Sequence, residues 1–264
     1  MSDEDISIDE KRVYGAKKGR VDLAVATGMG VARVAVSGDK FGEFSLAHQC
    51  TARDVAAGPD ALAVATDEDV LVGSIGSFEG TDFGPAVAVG YDGEDLLAAG
   101  PDGRVAHNAD GAWETVGEVD EPRAIDGGLL GAADGIYRVG DGLSHAGLSD
   151  VRDVAATGTP LAATAEGLYY LGPGWAKALD GAFETVDSAA ERAHAATAGT
   201  FHERVDGEWY DREVPVGEPI AGVAYGEGTY AVTTDGTVLV DVGDGWRTRN
   251  VGLRDVAGLV VAPA

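Results

Sequence analysis

The chain has 264 residues, 45% of them hydrophobic, and a formal charge of −26. It holds no run long and apolar enough to span a membrane as a helix, and no basic stripe of the kind that tracks phosphates, so neither a membrane nor a nucleic acid is the expected partner. The acidic residues spread through every part of the chain while regular apolar runs persist. This points away from disorder and toward a protein adapted to molar salt, where the Debye length is about 3 Å and surface self-repulsion is screened.

Residues 1–10 are acidic and expected to fray, and residues 11–264 are expected to form one domain. The basic cluster Lys11, Arg12, Lys17, Lys18 and Arg20 reads as a solvated strand edge. The segment from Arg12 to Ala16 is a candidate strand. The N-terminus lacks the basic and apolar regions of a signal peptide. Cys50 is the single cysteine, so no intramolecular disulfide forms. Both features make the cytoplasm the expected location. Cys50 itself reads as a small buried apolar residue.

From Leu23 onward one design repeats: a short apolar strand, a tight turn, and a second apolar strand. The turn closes at Gly30, Asp69, Gly103, Gly135, Gly167, Thr200 and Gly236, at spacings of 32 to 39 residues. Such a period built from short strands marks a β-propeller. The expected fold is all-β, with seven four-stranded blades, or six if the weak copy around His194 is discounted. The Leu-Ala-Val-Ala runs are apolar on both alternating faces, as suits strands covered on both sides by neighbouring blades.

A second signal recurs as Asp110-Gly-Ala-Trp113, Asp180-Gly-Ala-Phe183, Asp206-Gly-Glu-Trp209 and Asp244-Gly-Trp246, with Gly172-Pro-Gly-Trp175 as a variant. Asp-Gly favours hairpins because both residues accept the left-handed conformation. These segments are read as hairpins into the outer strand, with the aromatic ring packed between blades. Ser188 to Ala196 has a helix-friendly composition but falls where a blade strand is due, and is read as a strand.

A third signal is Arg53-Asp54-Val-Ala, Arg152-Asp153-Val-Ala and Arg254-Asp255-Val-Ala, with Arg123 in the related Pro122-Arg-Ala-Ile125. It marks the start of the innermost strand. The last copy begins the run Asp255 to Val261, which no second strand follows. That run is expected to complete the first blade and close the ring. The rival for that place is Arg12 to Ala16.

Motifs for chemistry are absent. Gly142-Leu-Ser144-His145-Ala146 has the spacing of a nucleophile elbow without its strand-to-helix turn. Thr27-Gly-Met-Gly30 lacks the third glycine of a dinucleotide fingerprint. The histidines His48, His107, His145, His194 and His202 fall in different repeats, and none has a partner at zinc-ligand spacing. Asp67-Glu68-Asp69 lacks the spaced ligands of a calcium loop and reads as solvated turn charge. No cofactor and no metal are therefore expected.

The Asp-Gly-x-Trp hairpins resemble a degenerate Asp-box of sialidase-type propellers. That family's activity implies an arginine triad and a tyrosine nucleophile, which these residues do not supply. Over nearly its whole length, through Lys11-Arg-Val-Tyr14, Val31-Ala-Arg-Val34 and Arg53-Asp-Val-Ala56, the chain resembles a haloarchaeal family of β-propeller proteins with no assigned function. The resemblance implies the fold and the salt habit.

The function expected is a cytoplasmic, non-enzymatic platform for a protein partner. The alternative is a propeller enzyme or small anionic-ligand binder using the central channel. The candidate site is a ring at one channel mouth: Arg53, Asp54, Arg123, Arg152, Asp153, Arg254 and Asp255. Guanidinium groups suit planar anions because they offer a fork of donors. They serve equally well to stitch blades through neighbouring carboxylates.

Overall fold

Threonine explains why so many second strands end in Leu-Ala-Val-Ala-Thr or its like. A computed structural model describes residues 19–109, 111–190 and 192–263 of the chain. In it the Thr27 hydroxyl donates to the Gly30 carbonyl at 2.8 Å and accepts the Met29 N–H at 3.1 Å. Thr66, Thr164, Thr197 and Thr233 close their turns in the same way. A hydroxyl that both donates and accepts satisfies backbone groups that the buried turn would otherwise strand.

These turns join the second and third strands of seven antiparallel four-stranded sheets. Each sheet is a blade, and the seven stand in a ring. Blade 2 spans Ala52–Gly80, blade 3 Ala88–Glu118, blade 4 Pro122–His145, blade 5 Val151–Asp180, blade 6 Phe183–Arg212 and blade 7 Ile220–Asn250. Blade 1 takes its three outer strands, Arg20–Thr27, Gly30–Ser37 and Lys40–His48, from the start of the described chain. Its inner strand, Val256–Val261, comes from the end. Val25 faces Leu259 and Leu23 faces Val261 across this join. The C-terminal strand thus closes the ring; the rival segment, Arg12 to Ala16, lies outside the described residues.

Buried side chains form one apolar cluster at each interface between neighbouring blades. Small residues such as Ala24, Ala63, Ala98 and Ala162 let the inner layers converge. Trp113, Trp175, Trp209 and Trp246 pack against these clusters, as the hairpin signal predicts. Trp113 also meets Phe83 edge-on at 4.7 Å.

Three local readings change. Asp180-Gly-Ala-Phe183 is not a hairpin: Asp180 ends the outer strand of blade 5 and Phe183 opens the inner strand of blade 6, while Gly172-Pro-Gly-Trp175 makes the turn. Ser188 to Ala196 is strand, turn and strand, with Ala190 left-handed at the bend. Asp69 is no solvated turn charge. Its carboxylate accepts N–H bonds from Val70 and Gly84 on one oxygen and from Thr81 and Asp82 on the other, all at 2.8–3.0 Å. One side chain thereby fixes the loop that leads into blade 3.

Candidate functional site

Inner strands have a neighbour on one edge only, so their other edge faces the ring axis. Near its start the inner strand carries a β-bulge in every blade but blade 3. In blade 2 the pairing passes from Ala52–Thr66 to Asp54–Ala65 and skips Arg53. The residue skipped in blades 4, 5, 6, 7 and 1 is Arg123, Arg152, Glu184, Ala221 and Ala257. A bulge swings its extra residue out of the ladder, and here three arginines and a glutamate come to the mouth of a central cavity of about 450 Å³.

Arg53, Arg123 and Arg152 stand together at that mouth, with Asp54 and Asp153 in the wall beneath. Arg254 and Asp255 do not join them. Val256 pairs with Thr27 as Ala52 pairs with Thr66, so Ala257 and Gly258 occupy the places of Arg53 and Asp54. The matching letters Arg-Asp-Val-Ala are out of register in the last copy. Asp255 instead corresponds to Asp150 and Glu121. All three are left-handed, with φ of 51°, 48° and 46°, and the carbonyl of each receives an N–H from the neighbouring turn.

Two of the three arginines are engaged. Arg123 pairs with Asp150 of blade 5 and, at 3.5 Å, with Glu121. Arg152 pairs with Glu184 of blade 6. Both pairs tie one blade to the next. Arg53 is exposed and has no ion pair among the described residues. The positions beside it are small: Ala221 and Gly222 in blade 7, Ala257 and Gly258 in blade 1. A Cβ placed on Gly258 would meet nothing within 4 Å. The mouth is therefore zipped by ion pairs over blades 4 to 6 and open over blades 7, 1 and 2.

Asp54 and Asp153 act on the free edge of the next inner strand. The Asp54 carboxylate accepts the Val89 N–H of blade 3 at 2.9 Å and its own neighbour Val55 at 2.8 Å. Asp153 accepts from Val186 and the Thr185 hydroxyl of blade 6, at 2.9 and 2.8 Å. Two further carboxylates, which sequence reasoning missed, line the same cavity. Asp126 accepts the Ala156 N–H of blade 5 at 2.6 Å, and Asp187 accepts that of Ser188 at 2.7 Å. Counting along each inner strand from its pairing with the turn threonine, or its counterpart, would have placed both on this wall.

The four are half-buried, with protein around them and the channel as their outlet. Burial pushes the Asp54 carboxyl up to about 7, against the Val89 and Val55 N–H bonds and with help from the charges of Asp153 and Asp126. Burial likewise takes Asp153 to about 6, against the hydrogen bonds it accepts from Val186, Thr185 and the Val154 N–H. Asp126 is raised by burial, and Asp187 is raised well above the usual range by burial and by the charge of Asp126. Next to Asp187 the Tyr225 hydroxyl donates to the Asp187 carbonyl at 3.0 Å and meets His194 Nδ1 at 2.9 Å. Burial holds His194 neutral, lowering its value to about 4. Among the described residues no group of three or more His, Cys, Asp or Glu is arranged to hold a metal ion.

A family model described as "Beta-prop_HVO_0234:-like, beta propeller" matches residues 7–262. The chain belongs to this β-propeller family. Its members' fold agrees with the ring, and the family is haloarchaeal in name, as the sequence resemblance implies. Comparison with curated proteins finds no match. Solved propellers share the fold at low identity. A chain of the nidogen/laminin complex is 12% identical, with a TM-score of 0.60, over 91% of this chain and 98% of that one. YCF48 bound to D1 peptide is 16% identical, with a TM-score of 0.59, over 75% and 82%. The computationally designed Ika8 protein is 15% identical, with a TM-score of 0.59, over 91% of each.

Proposed function

We propose that this member of the family is a non-enzymatic interaction platform of a halophile's cytoplasm, and that it docks a segment of a protein partner on the open sector of the channel mouth. The observation that carries the reading is the contrast around that mouth. Among the described residues Arg53 is left without a carboxylate, beside four side-chain-poor positions, Ala221, Gly222, Ala257 and Gly258. A guanidinium not engaged by the protein, next to backbone that a partner can approach closely, suits a segment carrying a carboxylate. The four aspartates below offer an anion no cation and repel it once they ionise, so this reading keeps the carboxylate at the mouth and disfavours a small anionic ligand deep in the channel. Propellers of the same fold are found with a peptide in YCF48 and in the nidogen/laminin complex, which supports a protein partner by analogy.

The test is recovery of co-purifying proteins in multimolar KCl. Gly258→Trp fills the open space, and Arg53→Gln removes the free cation. Both are expected to keep the wild-type melting midpoint and to lose the same proteins that a substitution on the outer rim retains. Unchanged recovery by Gly258→Trp sinks the reading.

A further inference from the structure

Asp54, Asp126, Asp153 and Asp187 come from four inner strands and share one cavity. Three of them are fasteners between blades: Asp54 joins blade 2 to 3, Asp126 joins 4 to 5, and Asp153 joins 5 to 6. The arginines at the mouth do not neutralise them, since Arg123 is taken by Asp150 and Glu121, and Arg152 by Glu184. The other titratable groups facing the cavity are Arg53 from blade 2, Tyr91 from blade 3, Glu184 from blade 6 and Tyr225 from blade 7. His194 stands behind the Tyr225 hydroxyl, and Arg192 lies over the Tyr225 ring at 5.1 Å. The blade 1 strand brings no charge to the cavity, its lining residues running from Ala257 to Val261.

We propose that these aspartates form a proton-linked latch: Asp54 fastens blade 2 to blade 3, and Asp126 and Asp153 fasten blades 4, 5 and 6, while the channel retains protons, and the fastening loosens when they and Asp187 ionise. A protonated carboxyl keeps its carbonyl oxygen as an acceptor for the neighbouring N–H. Four carboxylates in one narrow cavity repel each other and lose hydration, so full ionisation works against the closed ring.

The sign follows from linkage. A carboxyl held above its ordinary range contributes stability that is complete below that range and lost as pH rises through its folded value. For Asp153 that value is about 6 and for Asp54 about 7. His194 works in the opposite sense, its contribution being complete above the ordinary imidazole range and lost as pH falls toward 4. The interval above about pH 6.5, the ordinary imidazole value, therefore separates the titration of Asp54 from that of His194.

Thermal melting of the full chain, at fixed multimolar KCl, is measured from about pH 6.5 to about pH 8.5. The wild-type midpoint is expected to fall as pH rises. Asp54→Asn keeps one carbonyl oxygen as an acceptor, as the protonated carboxyl does, and cannot ionise, so it is expected to hold its midpoint better than the wild type at the alkaline end. Its slope is also expected to be shallower, by about one proton's linkage or less, whereas Asp153, at about 6, is already largely ionised over this interval and is followed by NMR instead. Because a variant can fail to fold, the second measurement uses the wild type: carbon-13 NMR of the aspartate carboxyls, with Asp153 and Asp54 expected to titrate at about 6 and about 7. A flat wild-type profile, a slope unchanged by Asp54→Asn, or carboxyls that all titrate in the ordinary range would each overturn the latch.

Discussion

The ring is held in two ways, and blades 4 to 6 contrast with the join of blades 7 and 1. Over blades 4 to 6 the inner strands are fastened by polar groups: Arg123 to Asp150, Arg152 to Glu184, Asp126 to Ala156 and Asp153 to Val186. At the join the same positions carry Ala221, Gly222, Ala257 and Gly258. Fourteen buried apolar residues, among them Leu23, Tyr230, Val232 and Leu259, fill this interface, against five between blades 4 and 5. The polar seams join blades whose four strands are contiguous in sequence. Blade 1 brings together strands separated by nearly the whole chain, and the loop-closure entropy must be offset by burial rather than by exposed ion pairs. Molar salt sharpens the difference, because it screens ion pairs and strengthens apolar burial.

Removing residues 253–264 should break the comparison most severely. It takes away Leu253, Val256 and Leu259 and strips the partner from the edge of Leu23–Thr27. The expected result is loss of a cooperative melting transition by circular dichroism. A truncated protein that melts like its parent would show that the join does not close the ring.

Leu259→Ala tests the apolar join without cutting the chain. Leu259 is 4% exposed and packs within the closure cluster. Its truncation should lower unfolding free energy by about 2–5 kcal/mol, measured by urea denaturation. A loss well under that range would mean that the join relaxes into the cavity.

Arg152→Gln should have the smallest effect. Both partners are partly exposed, at 27% for Arg152 and 48% for Glu184. About 0–1 kcal/mol is expected in dilute buffer, shrinking further in multimolar KCl. A larger and salt-insensitive loss would place the ion pairs on the same footing as the apolar join.

Periodicity made the fold readable. The turn-closing residues from Gly30 to Gly236 mark seven copies, and the run after Asp255 without a second strand marks the closure. Apolar alternation and turn chemistry are local, so they survive in a single sequence. The site was only half visible, because letters repeat without regard to register. Arg53 and Arg152 share a bulge, whereas Arg254 precedes the pairing that sets it. Asp126 and Asp187 carry no repeated neighbours to announce them. Which carboxylates meet in one channel, and which arginine at its mouth is left without a partner among the described residues, depends on strands from different blades converging at the axis. That convergence is a property of the closed ring, and it sets burial and charge at distances the sequence does not encode.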